Sequence, residues 1–275
     1  MEPRINKHIS IPNFDFSRQE KYLYAQIPIV KNSEYYNEKI CGIYDYGLAG
    51  QSYYTRPNDA ISEPVKEIHT EPMLRKSVAE KLAYLNNMIK NDSELTSIFG
   101  GPVELYIEEG LRSFSTQEML YKQVFPALLR KQFPGIDSEE VDNKLKDLIA
   151  FPSLNEESPS PHSTGAAFDV TLRFHTNESL AYDKNQQEVV LKRFDADVSE
   201  ANFPDYFENP NNIHNNLDAR IRDNRRIFYA LMTGKYFGYN TEFACNPTEW
   251  WHWSYGDQLW AFVKNLPHAY YSVAI

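Results

Sequence analysis

An α+β fold, an antiparallel sheet with helices packed on one side, is what this sequence predicts, on three observations. Helical and strand periodicities occupy separate stretches, with no regular βαβ alternation. The strand-like runs alternate apolar with polar residues, the pattern of strands that turn one face to a core. Hydrophobic residues make up 42% of 275, enough for a core that needs no disulfides.

Residues 1–60 are tyrosine-rich and irregular, and end in the breaker Thr55-Arg56-Pro57-Asn58-Asp59. They are expected to form an N-terminal extension packed on a main domain of residues 61–275. Helical periodicity follows, with Pro72 near the helix start and Leu74, Val78, Leu82, Leu85 and Ile89 on one face. Val103, Leu105 and Ile107 alternate with polar partners and predict a strand as far as Glu108. A capping box of Ser115 and Glu118 is expected to open the next helix, which Pro126 kinks or ends. Further helices are predicted from about Ser138 through Val141, Leu145 and Leu148, and along Leu217, Ile221, Phe228 and Leu231, where Gly234 supplies the stop. Strands are predicted over 166–174 and 249–253.

The net charge of −10 argues against a nucleic-acid partner, because neutralising phosphates needs a basic surface. It gives no reason to expect an anionic membrane as partner either. Cys41 and Cys245 lie far apart and in no CxxC or CxxH pattern, so neither a disulfide nor a cysteine zinc site is expected. The opening MEPRINKHISIPNFDF has no apolar h-region, and no run approaches the ~18 apolar residues of a membrane helix, so a cytoplasmic setting is expected.

Three constellations carry chemistry. In Ser160-Pro161-His162-Ser163-Thr164-Gly165-Ala166-Ala167-Phe168-Asp169, a turn at Gly165 leads into a strand. Phe168, Val170, Leu172 and Phe174 face the core there, while Asp169, Thr171 and Arg173 face the other way. If it is buried, Asp169 must be paired, hydrogen-bonded or bound to a metal, and His162 across the turn can share that metal. In Glu249-Trp250-Trp251-His252, among all four tryptophans of the chain, Glu249 is the kind of group that serves as general base beside a metal. On an ideal strand Glu249 and His252, three apart, point to opposite faces; a bend near Asn246-Pro247 is needed to bring them together. Arg112, in Glu108-Glu109-Gly110-Leu111-Arg112-Ser113, is placed either to pair with Glu108 or Glu109 or to hold an oxyanion.

With S-x-H-x-x-G-x-A-x-D at Ser160 to Asp169 and E-W-W-H at Glu249 to His252, the chain resembles the D-alanyl-D-alanine dipeptidases. These are zinc peptidases related to the vancomycin-resistance dipeptidase and to D,D-carboxypeptidases. The G-L-R-S segment and Asn224-Arg225-Arg226 add to the resemblance, which covers roughly residues 60 to 265. It implies a hedgehog/D,D-peptidase-like fold and one Zn2+ per chain, held by His162, Asp169 and His252. It further implies Glu249 as catalytic base, Arg112 as the arginine that stabilises the transition state, and Ser160 and Asp205 as substrate contacts. Asp195 and Asp197 are the other acids placed to read the substrate amine. Arg112 is followed by Ser where the dipeptidases have Pro, a departure that bears on dipeptide selection. The expected reaction is hydrolysis of D-alanyl-D-alanine by a zinc-activated water, with a small dipeptide as the substrate partner. Two alternatives stand beside it: a D,D-carboxypeptidase acting on peptidoglycan peptides, which would share the metal site, and a non-enzymatic zinc-containing recognition module, which would need neither Glu249 nor Arg112.

Overall fold

A five-stranded sheet carries Asp169, Glu249 and His252 of the residues singled out above. The computed structural model describes residues 20–57, 61, 64–65, 68–175, 219–238, 241–246 and 249–274. In chain order these hold β1 (Ile40–Gly42), β2 (Ala49–Gly50), β3 (Met73–Arg75), α1 (Lys76–Lys90), α2 (Ser93–Phe99) and β4 (Val103–Glu109). There follow α3 (Phe114–Met119), a π turn (Leu120–Val124) that runs into α4 (Phe125–Gln132), α5 (Ser138–Leu148) and β5 (Ala167–Phe174). The last elements are α6 (Ala219–Met232), β6 (Ala244–Asn246), β7 (Glu249–Ser254) and α7 (Gln258–Val263).

The strand order is β2-β4-β5-β7-β6, and β1 pairs with β3 in a separate two-stranded sheet. The central pairings are antiparallel, as expected, but β2 joins β4 in parallel. A strand of two residues offers no alternation to read, so this edge was invisible to periodicity. Register sorts the side chains by face. Leu105 opposes Leu172, Ile107 opposes Val170 and Phe168 opposes Trp253, all in the main core. On the other face Glu104 opposes Arg173, Tyr106 opposes Thr171 and Asp169 opposes His252. Every residue of β4 is buried, so this polar face is covered too, and its charges have to be matched.

The helices fall into two groups. Val78, Leu82, Leu85 and Ile89 of α1, Leu95 of α2 and Phe228 and Leu231 of α6 join the apolar face in one core. The π turn and helices α4 and α5 build a second core from Leu120, Leu129, Val141 and Leu145 with Tyr53, Tyr54 and Ile61. The described helices therefore feed two separate apolar clusters.

Three local expectations change. Pro72 does not open a helix: Met73–Arg75 pair with β1, Leu74 opposite Cys41, and the helix begins at Lys76. Leu74 fits the helical apolar stripe equally well, and the strand pairing decides. The N-cap of α3 is Ser113, whose Oγ accepts from Thr116 N at 3.2 Å, while Ser115 lies inside the first turn. Pro126 does not stop the helix; the wider π turn before it leads straight into α4, where the proline occupies the first turn and needs no N–H. Helix α5 starts at Ser138 behind an Asp137 cap, and α6 ends before Gly234 at φ 77°. Leu217 lies outside the described residues. Both cysteines are free thiols, and no described helix is long and apolar enough to cross a membrane.

Candidate metal centre

Three neighbouring elements bring the predicted ligands together. Asp169 on β5 stands directly opposite His252 on β7. His162 comes from a four-residue 3-10 turn, Pro161–Thr164, closed by Gly165 in the left-handed region at φ 70°. All three side chains are buried, and their ligand atoms can meet at one ion. His162 Nε2 lies 3.5 Å from Asp169 Oδ1 and 3.2 Å from His252 Nδ1, and His252 Nδ1 lies 3.4 Å from Asp169 Oδ1. A tetrahedral ion with bonds of about 2.0–2.1 Å has ligands about 3.3–3.4 Å apart. The triangle has that size, and it leaves one vertex of the tetrahedron to another ligand. The donor set therefore fits a divalent metal without rearrangement.

Protonation agrees with this. His162 Nδ1 faces the Gly110 carbonyl at 2.9 Å and donates to it, which leaves the Nε2 lone pair for an ion. Burial, reinforced by Arg112 and only partly offset by Asp169, pushes the His162 imidazole down to about 4. His252 moves the other way: burial opposes its charge, but Asp169 and Glu249 outweigh that and raise it. The cluster thus favours one neutral and one protonated imidazole, and a cation would displace the second proton.

Glu249 Oε2 lies 3.6 Å from His252 Nδ1. The obstacle to this on an ideal strand is removed by an irregularity in the β6–β7 ladder. Cys245 opposes Trp253, but Asn246 opposes Glu249, so β7 carries three more residues than its partner between the two pairs. Asn246 Nδ2 then donates to Glu249 Oε2 at 2.9 Å.

Arg112 follows a second irregularity. The β4–β5 register shifts after Ile107, so that Glu109 stands opposite Asp169. Of the two partners open to Arg112, Glu109 is the one found, its carboxylate 3.8 Å from Nε, while Glu108 pairs with Arg56 at 3.7 Å. Arg112 Nη1 donates to Gln117 Oε1 at 2.8 Å, and its guanidinium lies 5.4 Å from the Tyr54 ring centre. Burial alone would weaken its charge; Glu109, Tyr54, Asp169 and Glu249 more than offset that and hold it cationic. Its Nε makes no hydrogen bond.

Ser160 is buried beside the His162 turn, where its Oγ accepts from Ser153 N at 3.1 Å and its own O–H remains to donate. Asp205, Asp195 and Asp197 lie outside the described residues. Three contributors were missed from sequence. In sequence Asn246 signals only a bend beside Pro247, Gln117 lies five residues beyond Arg112, and the Gly110 group that holds His162 is a backbone carbonyl and leaves no trace in composition.

No protein-family profile matches the chain. Among curated proteins it is similar to a D-alanyl-D-alanine dipeptidase of Synechocystis sp., 27% identical over 174 residues that cover 60% of this chain and 64% of that relative. The match thus spans a little under two thirds of the relative's length.

Proposed function

We propose that this chain is a zinc-dependent dipeptidase, with one ion per chain, that hydrolyses D-alanyl-D-alanine and related D-amino-acid dipeptides. The observation that carries the reading is the triangle of His162 Nε2, Asp169 Oδ1 and His252 Nδ1 with the Glu249 carboxylate at its edge. Two imidazoles, one carboxylate and one remaining position form the donor set of a catalytic rather than a structural zinc. Zinc, when bound, supplies Lewis acidity toward the scissile carbonyl and makes water a nucleophile near neutral pH. Glu249, steadied by Asn246, takes the proton of the attacking water and returns it to the leaving amine. Arg112 offers its N–H groups to the oxygen that becomes negative during attack. Ser160 has an O–H to give to the substrate's terminal carboxylate. The resemblance assigns the substrate ammonium to an acid, Asp205 first, so a free amine should be favoured over an acylated one. The Synechocystis relative's name supports the same substrate class. Residues 61–275 then form the catalytic domain, with residues 1–60 as an extension packed on it, in a cytoplasmic protein.

Assays of D-Ala-D-Ala and its N-acetyl derivative, with and without added Zn2+, test the reading. Free dipeptide should be cleaved at least ~10-fold faster, the lower end of what a hydrogen bond to a charged group contributes. Equal cleavage of the acetylated form would point to a carboxypeptidase of peptidoglycan peptides. Zn2+ bound without any hydrolysis would point to a recognition module.

A further inference from the structure

We propose that Arg75 is a positioning residue of the metal centre: its buried guanidinium ties the N-terminal and C-terminal segments to the turn that carries His162, and so sets how tightly the centre holds its ion. The inference rests on the metal reading above and adds a residue that touches neither ion nor substrate.

The turn at Pro161–Thr164 is too short to be rigid by itself. Its own bonds are short-range, among them Ser163 N to Ser160 O at 3.0 Å, Gly165 N to His162 O at 3.3 Å, Ser163 Oγ to Ser160 O at 2.7 Å and Thr164 Oγ1 to Pro161 O at 2.6 Å, and they do not tie the turn to the strands that carry Asp169 and His252. A three-ligand site needs its imidazole held to within about half an ångström. Four consecutive carbonyls of the turn are each capped from elsewhere. His162 O accepts from Arg112 N at 3.1 Å, Ser163 O from Ala274 N at 2.8 Å, and Gly165 O from Arg75 N at 2.8 Å. Thr164 O accepts from Arg75 Nε at 2.8 Å, so Arg75 supplies two of the four caps.

The rest of the guanidinium reaches outward. Arg75 Nη1 donates to Glu38 O at 2.6 Å and Nη2 to Ser272 O at 3.1 Å, and the Tyr271 ring lies 5.2 Å away. The side chain is 3% exposed, yet every acceptor it reaches is a neutral carbonyl; the nearby Glu38 carboxylate serves Ser77 and Tyr271 instead. Burying a cation with only neutral acceptors is unfavourable, and burial pulls the Arg75 pKa down. What the arrangement provides is a planar fork that spans three chain segments at once, which a lysine ammonium cannot reproduce. The turn is also wedged from its other side, since a Cβ on Gly165 would come within 2.6 Å of Ile40 Cδ1. Fixing Thr164 and Gly165 fixes the backbone that aims His162 at Asp169 and His252.

The test is Zn2+ affinity by chelator competition and the visible spectrum of the Co2+-loaded protein, for Arg75→Lys and Arg75→Gln. Leu145→Ala, in the second core, serves as a control that loses comparable thermal stability. We expect both Arg75 variants to fold, to bind Zn2+ at least ~10-fold more weakly, the scale of an outer-shell loss, and to show an altered Co2+ band. Leu145→Ala should bind as wild type does. Methylguanidinium added to Arg75→Ala should restore part of the affinity. Folded Arg75 variants that match wild type in affinity and spectrum would overturn the proposal. If they do not fold, removal of residues 272–275 takes away the Ser272 acceptor and the Ala274 donor while Arg75 stays. Zn2+ binding weaker there than after removal of residues 274–275, which takes away the Ala274 donor but leaves Ser272, supports the proposal, and equal binding in the two overturns it. Wild type that binds no Zn2+ would overturn the metal reading itself, and this inference with it.

Discussion

Asp169 and Glu104 stand on the same polar face of the same sheet, both buried, and their surroundings differ in kind. Glu104 receives Arg173 through Nε at 2.8 Å and Nη2 at 2.7 Å, His175 Nδ1 at 2.9 Å and Lys90 Nζ at 3.7 Å. The Arg173 and His175 contacts have the distances of charge-assisted hydrogen bonds, Lys90 adds a longer ion pair, and the carboxylate is neutralised in place. Asp169 Oδ1 faces two imidazole nitrogens at 3.5 and 3.4 Å, longer than such bonds and right for atoms that share an ion. A structural ion pair closes on itself, whereas a metal site keeps its donors a tetrahedral edge apart.

Exchanging the two carboxylates for amides should therefore have crossed effects. Asp169→Asn, like His162→Ala or His252→Ala, should lose bound zinc by more than ~10² in affinity, since a ligand matters more than the outer-shell groups that cost 10–100-fold. Its ion-free stability should change little or rise, because the substitution relieves an arrangement kept for function. Elemental analysis and thermal unfolding in chelator check both halves. Metal content unchanged in these variants would remove the ligand assignment.

Next in size is the change at Glu249, the proposed base. Glu249→Ala should retain zinc and fold while hydrolysis drops by ~10²–10⁴. Loss of zinc would make Glu249 a ligand instead. Arg112→Ala should also keep its metal, with a deficit of ~10²–10³ mainly in kcat, because the oxyanion exists only after attack. A change confined to KM would reduce Arg112 to an anchor.

Glu104→Gln is the counterpart. It leaves Arg173 and Lys90 without their carboxylate and should cost about 3–5 kcal/mol in stability, read by denaturant unfolding. Zinc content and kcat should be close to wild type. A stable Glu104→Gln protein with impaired zinc binding would erase the distinction between the two carboxylates.

The same contrast explains what could be read without coordinates. The alternation from Phe168 to Phe174 places Asp169 on the polar face directly, whereas His162 and His252 as its companions come from the family resemblance. Glu249 could be named but not positioned, because its approach depends on the three-residue slip between β6 and β7. Periodicity assumes a regular ladder, and both irregularities, at Glu109 and at Asn246, lie at the site. The apolar phase of Leu74 suits helix and strand alike, and no sequence pattern singles out Arg75 next to it. Its partners, Glu38, Thr164 and Ser272, are backbone carbonyls scattered over the chain, and no pattern of side chains reports them.

The smallest effect is a matter of protons, and it separates the two imidazoles of the Asp169 cluster. An ion needs both rings neutral. His162 is held down near 4 by burial and by Arg112, so protons compete for it only in strongly acidic solution. His252 is held up by Asp169 and Glu249 against burial, so it carries a proton already at mildly acidic pH. Zinc affinity should therefore begin to fall already above the ordinary imidazole value of about 6.5 and continue down as pH drops, by tenfold per unit with one proton taken up for each ion released. The slope should steepen to two protons only as pH nears about 4, where His162 joins. Chelator competition between about pH 4 and 7 measures it. A two-proton slope beginning at about 6.5 would show the rings titrating alike and independently. In Glu249→Gln one of the two carboxylates that hold the His252 proton is gone, so the one-proton branch should begin at lower pH, while the His162 branch stays where it was. A shift of both branches together would mean that Glu249 acts on the whole cluster rather than on the ring beside it.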